Sequence, residues 1–145
     1  MRCLGLDLGS KTLGIAISDR TNFIASVYKT IFFKDEDYSS LIEPLRDIIE
    51  KEDVGTLVLG LPKNMNNSLG PRALITLEFK EMLEKEFSIP IIMEDERLTS
   101  VISNNILISA NVSRNKRKKK VDGMAAEIIL QSYLDKTRKD NYDGR

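Results

Sequence analysis

The sequence contains no histidine and only one cysteine among its 145 residues. Without an imidazole, the chain cannot hold a Ser-His-Asp or Cys-His catalytic arrangement, a histidine-ligated haem or a Cys/His zinc site. A single cysteine also excludes an intrachain disulfide, so Cys3 is expected to be a buried thiol in a reducing compartment. Acid–base or metal chemistry must therefore use carboxylates, lysines or tyrosines.

Tryptophan and long apolar runs are missing as well. No apolar run approaches the ~18 residues that a membrane span requires, and Asp7 interrupts the apolar start of the chain after only a few residues. We therefore expect a soluble, cytoplasmic protein with no membrane association. Aromatic residues make up only 6% of the chain, so extensive base stacking on a nucleic acid is not expected.

The charges balance in number but not in position, since 22 Lys and Arg residues match 22 Asp and Glu residues. Residues 34–53 carry three basic residues against eight acidic ones, whereas residues 114–120 (RNKRKKK) carry six basic residues and no acidic one. The basic run favours a polyanionic partner, and its alternative interpretation is a solvated charged loop.

The apolar pattern predicts strands and helices along the whole chain. Three strands form an antiparallel meander at the start, and two later apolar runs have the continuous character of strands that are buried on both faces. The predicted strands are residues 2–8, 13–18, 23–33, 56–61 and 89–93. The predicted helices cover residues 41–49, 71–87, 98–109 and 121–136.

This order of elements predicts an α/β fold. It consists of one mixed sheet of about five strands, antiparallel on one side and parallel on the other, with helices on both faces. We expect residues 1–138 to form a single domain and residues 139–145 to form a frayed tail.

Three carboxylates are expected at one edge of this sheet, because ligands of open α/β sheets bind beyond the carboxyl ends of the parallel strands. Asp7 ends the first strand, Glu96 follows the fifth, and Asp122 begins the last helix. Each also has an ordinary explanation: a turn-forming Asp, a surface ion pair between Glu96 and Arg97, and an Asp at a helix N-terminus.

Small residues surround Asp7 on its face of the first hairpin. Cys3, Gly5 and Asp7 share one face of the first strand, and Gly14, Ala16 and Ser18 are the small residues of its partner. This face has room for a ligand backbone or for a closely packed helix, and the last helix offers Ala125 and Ala126 for that approach. If the carboxylates converge, hard oxygen ligands without His or Cys favour Mg²⁺ or Mn²⁺ and phosphodiester cleavage.

Four segments of the chain together resemble the YqgF/RuvX family. They are LGLDLGSKTLGIAISD (4–19), LGLPKNMNNSLGPRA (59–73), MEDERLTS (93–100) and SRNKRKKKVDGMAAEIILQSYLD (113–135). The resemblance implies a ribonuclease H-like fold with the strand order 3-2-1-4-5, and it implies a metal-dependent phosphodiesterase. Members are described as Holliday junction resolvases or as nucleases that process the 5′ end of pre-16S ribosomal RNA.

The same resemblance implies that Asp7, Glu96 and Asp122 are the catalytic and metal-binding residues. Asp95 is the alternative to Glu96, because strand parity sends the two side chains to opposite sides. Related resolvases tend to have a fourth acid where this chain has Ala125, and many relatives have Arg where it has Thr12.

Basic residues beside this edge are the candidate nucleic-acid contacts. The run from Arg114 to Lys120 directly precedes Asp122, and phosphate neutralisation supplies most non-specific affinity for nucleic acid. The full candidate set is Lys11, Lys63, Arg72, Arg97, Arg114, Lys116, Arg117, Lys118, Lys119 and Lys120.

The leading hypothesis is a Mg²⁺- or Mn²⁺-dependent endonuclease that processes the 5′ end of pre-16S ribosomal RNA, with branched DNA as the alternative substrate. A non-catalytic RNA-binding assembly factor is a second alternative. A nucleotide-binding ATPase of the actin and sugar-kinase kind is disfavoured, because such proteins clamp ATP between two domains and this chain has one. The oligomeric state, monomer or homodimer, stays open at this stage.

Overall fold

The computed structural model describes residues 1–34, 36–62, 70–95 and 124–137. Five strands form one sheet: β1 (Arg2–Leu8), β2 (Thr12–Ser18), β3 (Ala25–Phe32), β4 (Val54–Leu61) and β5 (Ile91–Asp95). Their order is β3-β2-β1-β4-β5, with antiparallel pairing from β3 to β1 and parallel pairing from β1 through β4 to β5. The predicted mixed sheet and its strand order are confirmed.

Four of the five predicted strands differ from the observed ones by one or two residues at an end. β3 begins at Ala25 rather than at residue 23, and β5 covers Ile91–Asp95 rather than residues 89–93. Pro90 explains the second shift, because proline has no N–H to donate and contributes only its carbonyl, which accepts a hydrogen bond from the Leu57 N–H at 3.0 Å. Regular pairing therefore starts after Pro90 and extends to Asp95, with Leu57 opposite Ile91.

Three helices complete the described fold: α1 (Ile42–Lys51), α2 (Pro71–Glu86) and α3 (residues 124–137). A short 3-10 turn (Tyr38–Leu41) leads into α1. Pro44 falls in the first turn of α1, and Pro71 is the first residue of α2, which are the helical positions that tolerate proline. The helix predicted over residues 98–109 lies outside the described residues.

The helices cover both faces of the sheet, as predicted. Leu4 and Leu6 of β1 pack with Leu45 of α1 and Phe79 of α2 in the larger core. The other face of the sheet packs against α3, and the buried residues of this second core are Cys3, Ala16, Ala25, Val58, Ala126, Ile129, Leu130 and Leu134. Side chains alternate strictly along β1. Its leucines therefore lie on the face covered by α1 and α2, and Cys3, Gly5 and Asp7 lie on the face covered by α3.

Candidate active site

The last helix approaches the sheet most closely at Gly5. A Cβ atom placed on Gly5 would lie 2.7 Å from the Ala126 carbonyl oxygen and 2.7 Å from the Leu130 Cβ atom. No side chain larger than hydrogen fits in that space. The small residues on this face of β1 were predicted to allow a helix to pack closely, and this prediction is confirmed.

The contacts of α3 also give its direction. Ala126 lies over Gly5, whereas Leu134 and Thr137 line a cavity of about 490 Å³ with Met1 and Cys3, at the beginning of β1. The helix therefore runs antiparallel to β1, and its first described residue is on the side of the strand's carboxyl end. Asp122 precedes that residue by two positions in the chain and lies outside the described residues.

Asp7 is half-buried near the end of β1, on the same face as Gly5. In β2 its partner is Gly14, and in β4 the pairing of Leu6 with Leu59 makes Gly60 its neighbour. Both neighbouring positions on this face therefore lack side chains. The carboxylate of Asp7 is therefore flanked by positions without a side chain in both neighbouring strands.

Arg72 is the predicted phosphate contact that the structure brings to this edge. It is the second residue of α2, and its Nη2 donates a hydrogen bond to the Leu8 carbonyl at 2.7 Å. The Thr76 hydroxyl in turn donates to the Arg72 carbonyl at 2.9 Å. The bond to Leu8 holds the guanidinium beside the residue that follows Asp7, and a guanidinium has five N–H donors of the kind that bind phosphate.

Lys11 lies on the other side of Asp7, in the turn between β1 and β2, and is exposed. The Gly9 N–H donates to the Thr12 carbonyl at 2.7 Å, and this bond closes the turn. The Lys11 carbonyl accepts a hydrogen bond from the Phe33 N–H at 2.9 Å, which fixes the turn against the end of β3. Two basic residues therefore flank the end of β1, one from the hairpin and one from α2.

Glu94 is a buried acid that the sequence analysis did not select. It lies in β5 opposite Gly60, in the same row as Asp7, and only 7% of its surface is exposed. Its carboxylate accepts hydrogen bonds from the Lys136 ammonium at 2.9 and 3.2 Å, and from the Ser132 hydroxyl at 3.4 Å. Glu94 therefore links α3 to β5. The sequence feature that could have identified it is Pro90, because a strand that begins after Pro90 includes Glu94.

The remaining predicted site residues lie outside the described residues. They are Glu96, Asp122, Lys63, Arg97, Arg114, Lys116, Arg117, Lys118, Lys119 and Lys120. Within the residues that the structure does describe, no group of three or more His, Cys, Asp or Glu side chains comes together in a way that would hold a metal ion. Of the three candidate carboxylates, only Asp7 is placed.

Cys3 and Tyr133 line the cavity at the opposite end of β1. Burial raises the pKa of the Cys3 thiol, and burial together with the charge of neighbouring groups raises the pKa of Tyr133. Both groups are therefore neutral near pH 7, and Cys3 is buried, as expected from the sequence.

Comparison with known proteins identifies the family. The model of the RuvX family, described as Holliday junction resolvase, matches residues 1–136. The chain belongs to the RuvX family. Several curated relatives carry the name "Putative pre-16S rRNA nuclease", among them proteins of Geobacillus sp. (strain WCH70) and Clostridium botulinum (strain Hall). The first is 50% identical and covers 93% of this chain and 98% of its own length, and the second is 48% identical and covers 96% and 100%.

The fold of this RuvX-family chain is also found in solved resolvase structures. Thermus thermophilus RuvC in complex with Holliday junction substrate superposes with a TM-score of 0.56 at 10% identity, and covers 94% of this chain and 96% of its own. The Fowlpox virus resolvase in complex with Holliday junction DNA also has a TM-score of 0.56, at 15% identity, and covers 94% and 99%. At this low identity the comparison shows a shared fold, which is the ribonuclease H-like fold implied by the sequence resemblance.

Within the described part of the chain, no helix is both long enough and apolar enough to cross a membrane.

Proposed function

We propose that this RuvX-family chain is a divalent-metal-dependent endonuclease that processes the 5′ end of pre-16S ribosomal RNA. The observation that carries the proposal is the position of Asp7. This carboxylate lies near the carboxyl end of the central strand, between Gly14 and the Gly60 position, with Arg72 beside it. The names of relatives at about 50% identity supply the RNA substrate.

The metal ligands that we propose are Asp7, Glu96 and Asp122, with Asp95 as the alternative to Glu96. The donor set fits a hard cation, because this chain has no histidine and its one thiol is buried at the other end of β1. A bound Mg²⁺ or Mn²⁺ would activate water and stabilise the leaving oxygen of a phosphodiester. The close packing of α3 on Gly5 supports the inclusion of Asp122, because it directs the start of that helix toward the carboxyl end of β1.

The basic residues have a separate part in this proposal. Arg72 and Lys11 would bind phosphates on either side of Asp7, and the run from Arg114 to Lys120 would supply further charge next to Asp122. Lys63 and Arg97, which adjoin the ends of β4 and β5 in the chain, are assigned the same role. Recognition through the backbone and shape of the RNA follows from this composition.

A direct test replaces Asp7 by asparagine, which preserves shape and removes the charge. The control is Asp47→Asn on the exposed side of α1. We expect Asp7→Asn to lose at least about a hundred-fold in cleavage of a 5′-extended 16S precursor with Mg²⁺ or Mn²⁺, and to bind Mn²⁺ more weakly by titration calorimetry. Asp47→Asn should retain both properties.

A four-way DNA junction as a second substrate tests the alternative function of a resolvase, which the family description and the RuvC-like fold favour. If the protein cleaves the junction in preference to the RNA, the substrate in our proposal is wrong and the proposed metal-dependent chemistry still holds. Unchanged cleavage of both substrates by Asp7→Asn would refute the catalytic site. If wild-type protein bound the precursor but cleaved neither substrate, the assembly-factor alternative would stand.

A further inference from the structure

Phe32 is a large aromatic residue that the fold leaves in solvent. It ends β3, and 73% of its surface is exposed, more than for Phe23 at 51% or Leu74 at 54%. Single exposed apolar residues are common on proteins, so exposure alone does not identify a site. The position of Phe32 relative to Asp7 is the second observation.

Phe32 and Asp7 lie on the same face of the sheet. Asp7 pairs with Gly14, Gly14 pairs with Thr30, and Phe32 is two residues beyond Thr30 on β3. Paired residues share a face, as do alternate residues along a strand. Two strand spacings and a two-residue step place the Cα atoms of Phe32 and Asp7 roughly 12 Å apart. The residues between them on this face are Gly14, Thr12 and Thr30, none of which has a large side chain.

Two lysines lie beside Phe32 on this edge. Lys11 and Lys34 are exposed, and the hydrogen bond from the Phe33 N–H to the Lys11 carbonyl brings the hairpin turn next to the end of β3. Glu36 and Asp37 follow, and the Asp37 N–H donates to the Lys34 carbonyl at 2.9 Å; Tyr38 after them lies on the opposite face. There the Tyr38 ring contacts Phe33 at 5.5 Å and Phe79 at 6.4 Å between centroids.

We propose that Phe32 is a stacking platform for an unpaired base of the nucleic acid whose backbone reaches Asp7. An aromatic face beside lysines and a few nucleotides from a cleavage site fits a single strand, because stacking accepts any base and lysine binds the adjacent phosphate. One such platform agrees with the low aromatic content of the chain. The proposal takes its ligand class from the proposed nuclease function.

The test measures binding in the absence of divalent metal, so that cleavage does not contribute. Fluorescence anisotropy compares a labelled single-stranded RNA, a single-stranded DNA and a blunt RNA duplex of the same sequence. The variants are Phe32→Ala, Phe32→Trp and Phe23→Ala; Phe23 is the matched control, because it is exposed just before the opposite end of β3. Phe32→Trp would introduce the only tryptophan of the chain and thus a specific fluorescent reporter.

We expect Phe32→Ala to weaken single-strand binding roughly ten-fold or more and to change duplex binding less than about two-fold. Phe32→Trp should preserve the affinity, and its emission should be quenched when the strand binds. Loss with RNA alone, or with DNA alone, would support the platform and identify the strand that it accepts.

Wild-type affinity of Phe32→Ala for both strands, an equal loss in Phe23→Ala, or unchanged tryptophan emission would each overturn the proposal. A wild-type dimer that becomes a monomer in Phe32→Ala by sedimentation would assign the patch to a second copy of the chain and also overturn it. These results do not depend on catalysis. If the Asp7→Asn cleavage test fails, the binding results still test the role of Phe32. If the binding test fails, the cleavage test still tests the role of Asp7.

Discussion

Replacement of Gly5 by alanine is expected to destabilise the fold and to inactivate the candidate site together. The added Cβ would lie 2.7 Å from both the Ala126 carbonyl oxygen and the Leu130 Cβ atom. Carbon contacts in a packed core have an optimum of about 3.5–4.0 Å, so α3 would have to move away from β1 by about 1 Å. Overpacking of this kind costs about 1–3 kcal/mol, which for a chain of this size lowers Tm by roughly 3–12 °C.

The effect on activity follows from the same displacement. Asp122 precedes the first described residue of α3 by two positions, and a misplacement of about 1 Å among reacting groups can cost about a hundred-fold in rate. Gly5 has no positive φ, so alanine is compatible with its backbone and the expected loss is steric. Thermal unfolding by circular dichroism and precursor RNA cleavage well below Tm measure the two effects separately.

Gly55→Ala is the matched control for this substitution. Its added Cβ would lie 2.8 Å from the Cβ and 3.0 Å from the Sδ of Met1, a terminal side chain that is 71% exposed. Met1 can move into solvent, so a change in stability of less than about 1 kcal/mol is expected. Wild-type Tm and activity in Gly5→Ala would refute the argument that contact with α3 requires glycine at this position.

Two further predictions concern single contacts. Lys136→Ala should lower the free energy of unfolding by about 1 kcal/mol in urea titrations, because it removes the ammonium that donates to the buried Glu94 carboxylate. Glu94→Gln in that background should recover part of the loss, and equal stability of all variants would contradict the prediction. Hydrogen bonds from the Thr21 hydroxyl and from backbone N–H groups lower the pKa of Asp19 to about 2. Its ionised form therefore contributes stability above its usual pKa near 3.8 that is lost as the pH falls to about 2. Acid titration of Asp19→Asn should lack this component, and an acid transition identical to wild type would argue against it.

Local patterns in the sequence were sufficient for most of the architecture. Alternation in β1 separated Leu4 and Leu6 from Gly5 and Asp7, and the structure places helices on both of those faces. The pattern also showed Pro71 at the start of α2. The strand order came from the family resemblance, because short apolar runs do not encode which strand lies beside which.

The candidate site was less accessible to sequence reasoning. Asp7 and Arg72 were selected, and the structure brings both to the end of β1, but their roles remain predictions. Glu94 was missed because the predicted strand ended at residue 93, and because its contact with Lys136, 42 residues away, leaves no periodic signal. Glu96 and Asp122 lie outside the described residues, so their convergence with Asp7 is also still a prediction.

The position of α3 has a consequence for how the protein is made. The face of β1 that carries Gly5 and Asp7 acquires the apolar cover of α3 after the whole sheet has been synthesised, when residues 124–137 leave the ribosome. At about 5–20 residues per second, the nascent sheet waits at least a second or two with one side open to water. The site that we propose would be complete only after synthesis has passed α3, and chains truncated before that point are expected to expose an apolar sheet face and aggregate.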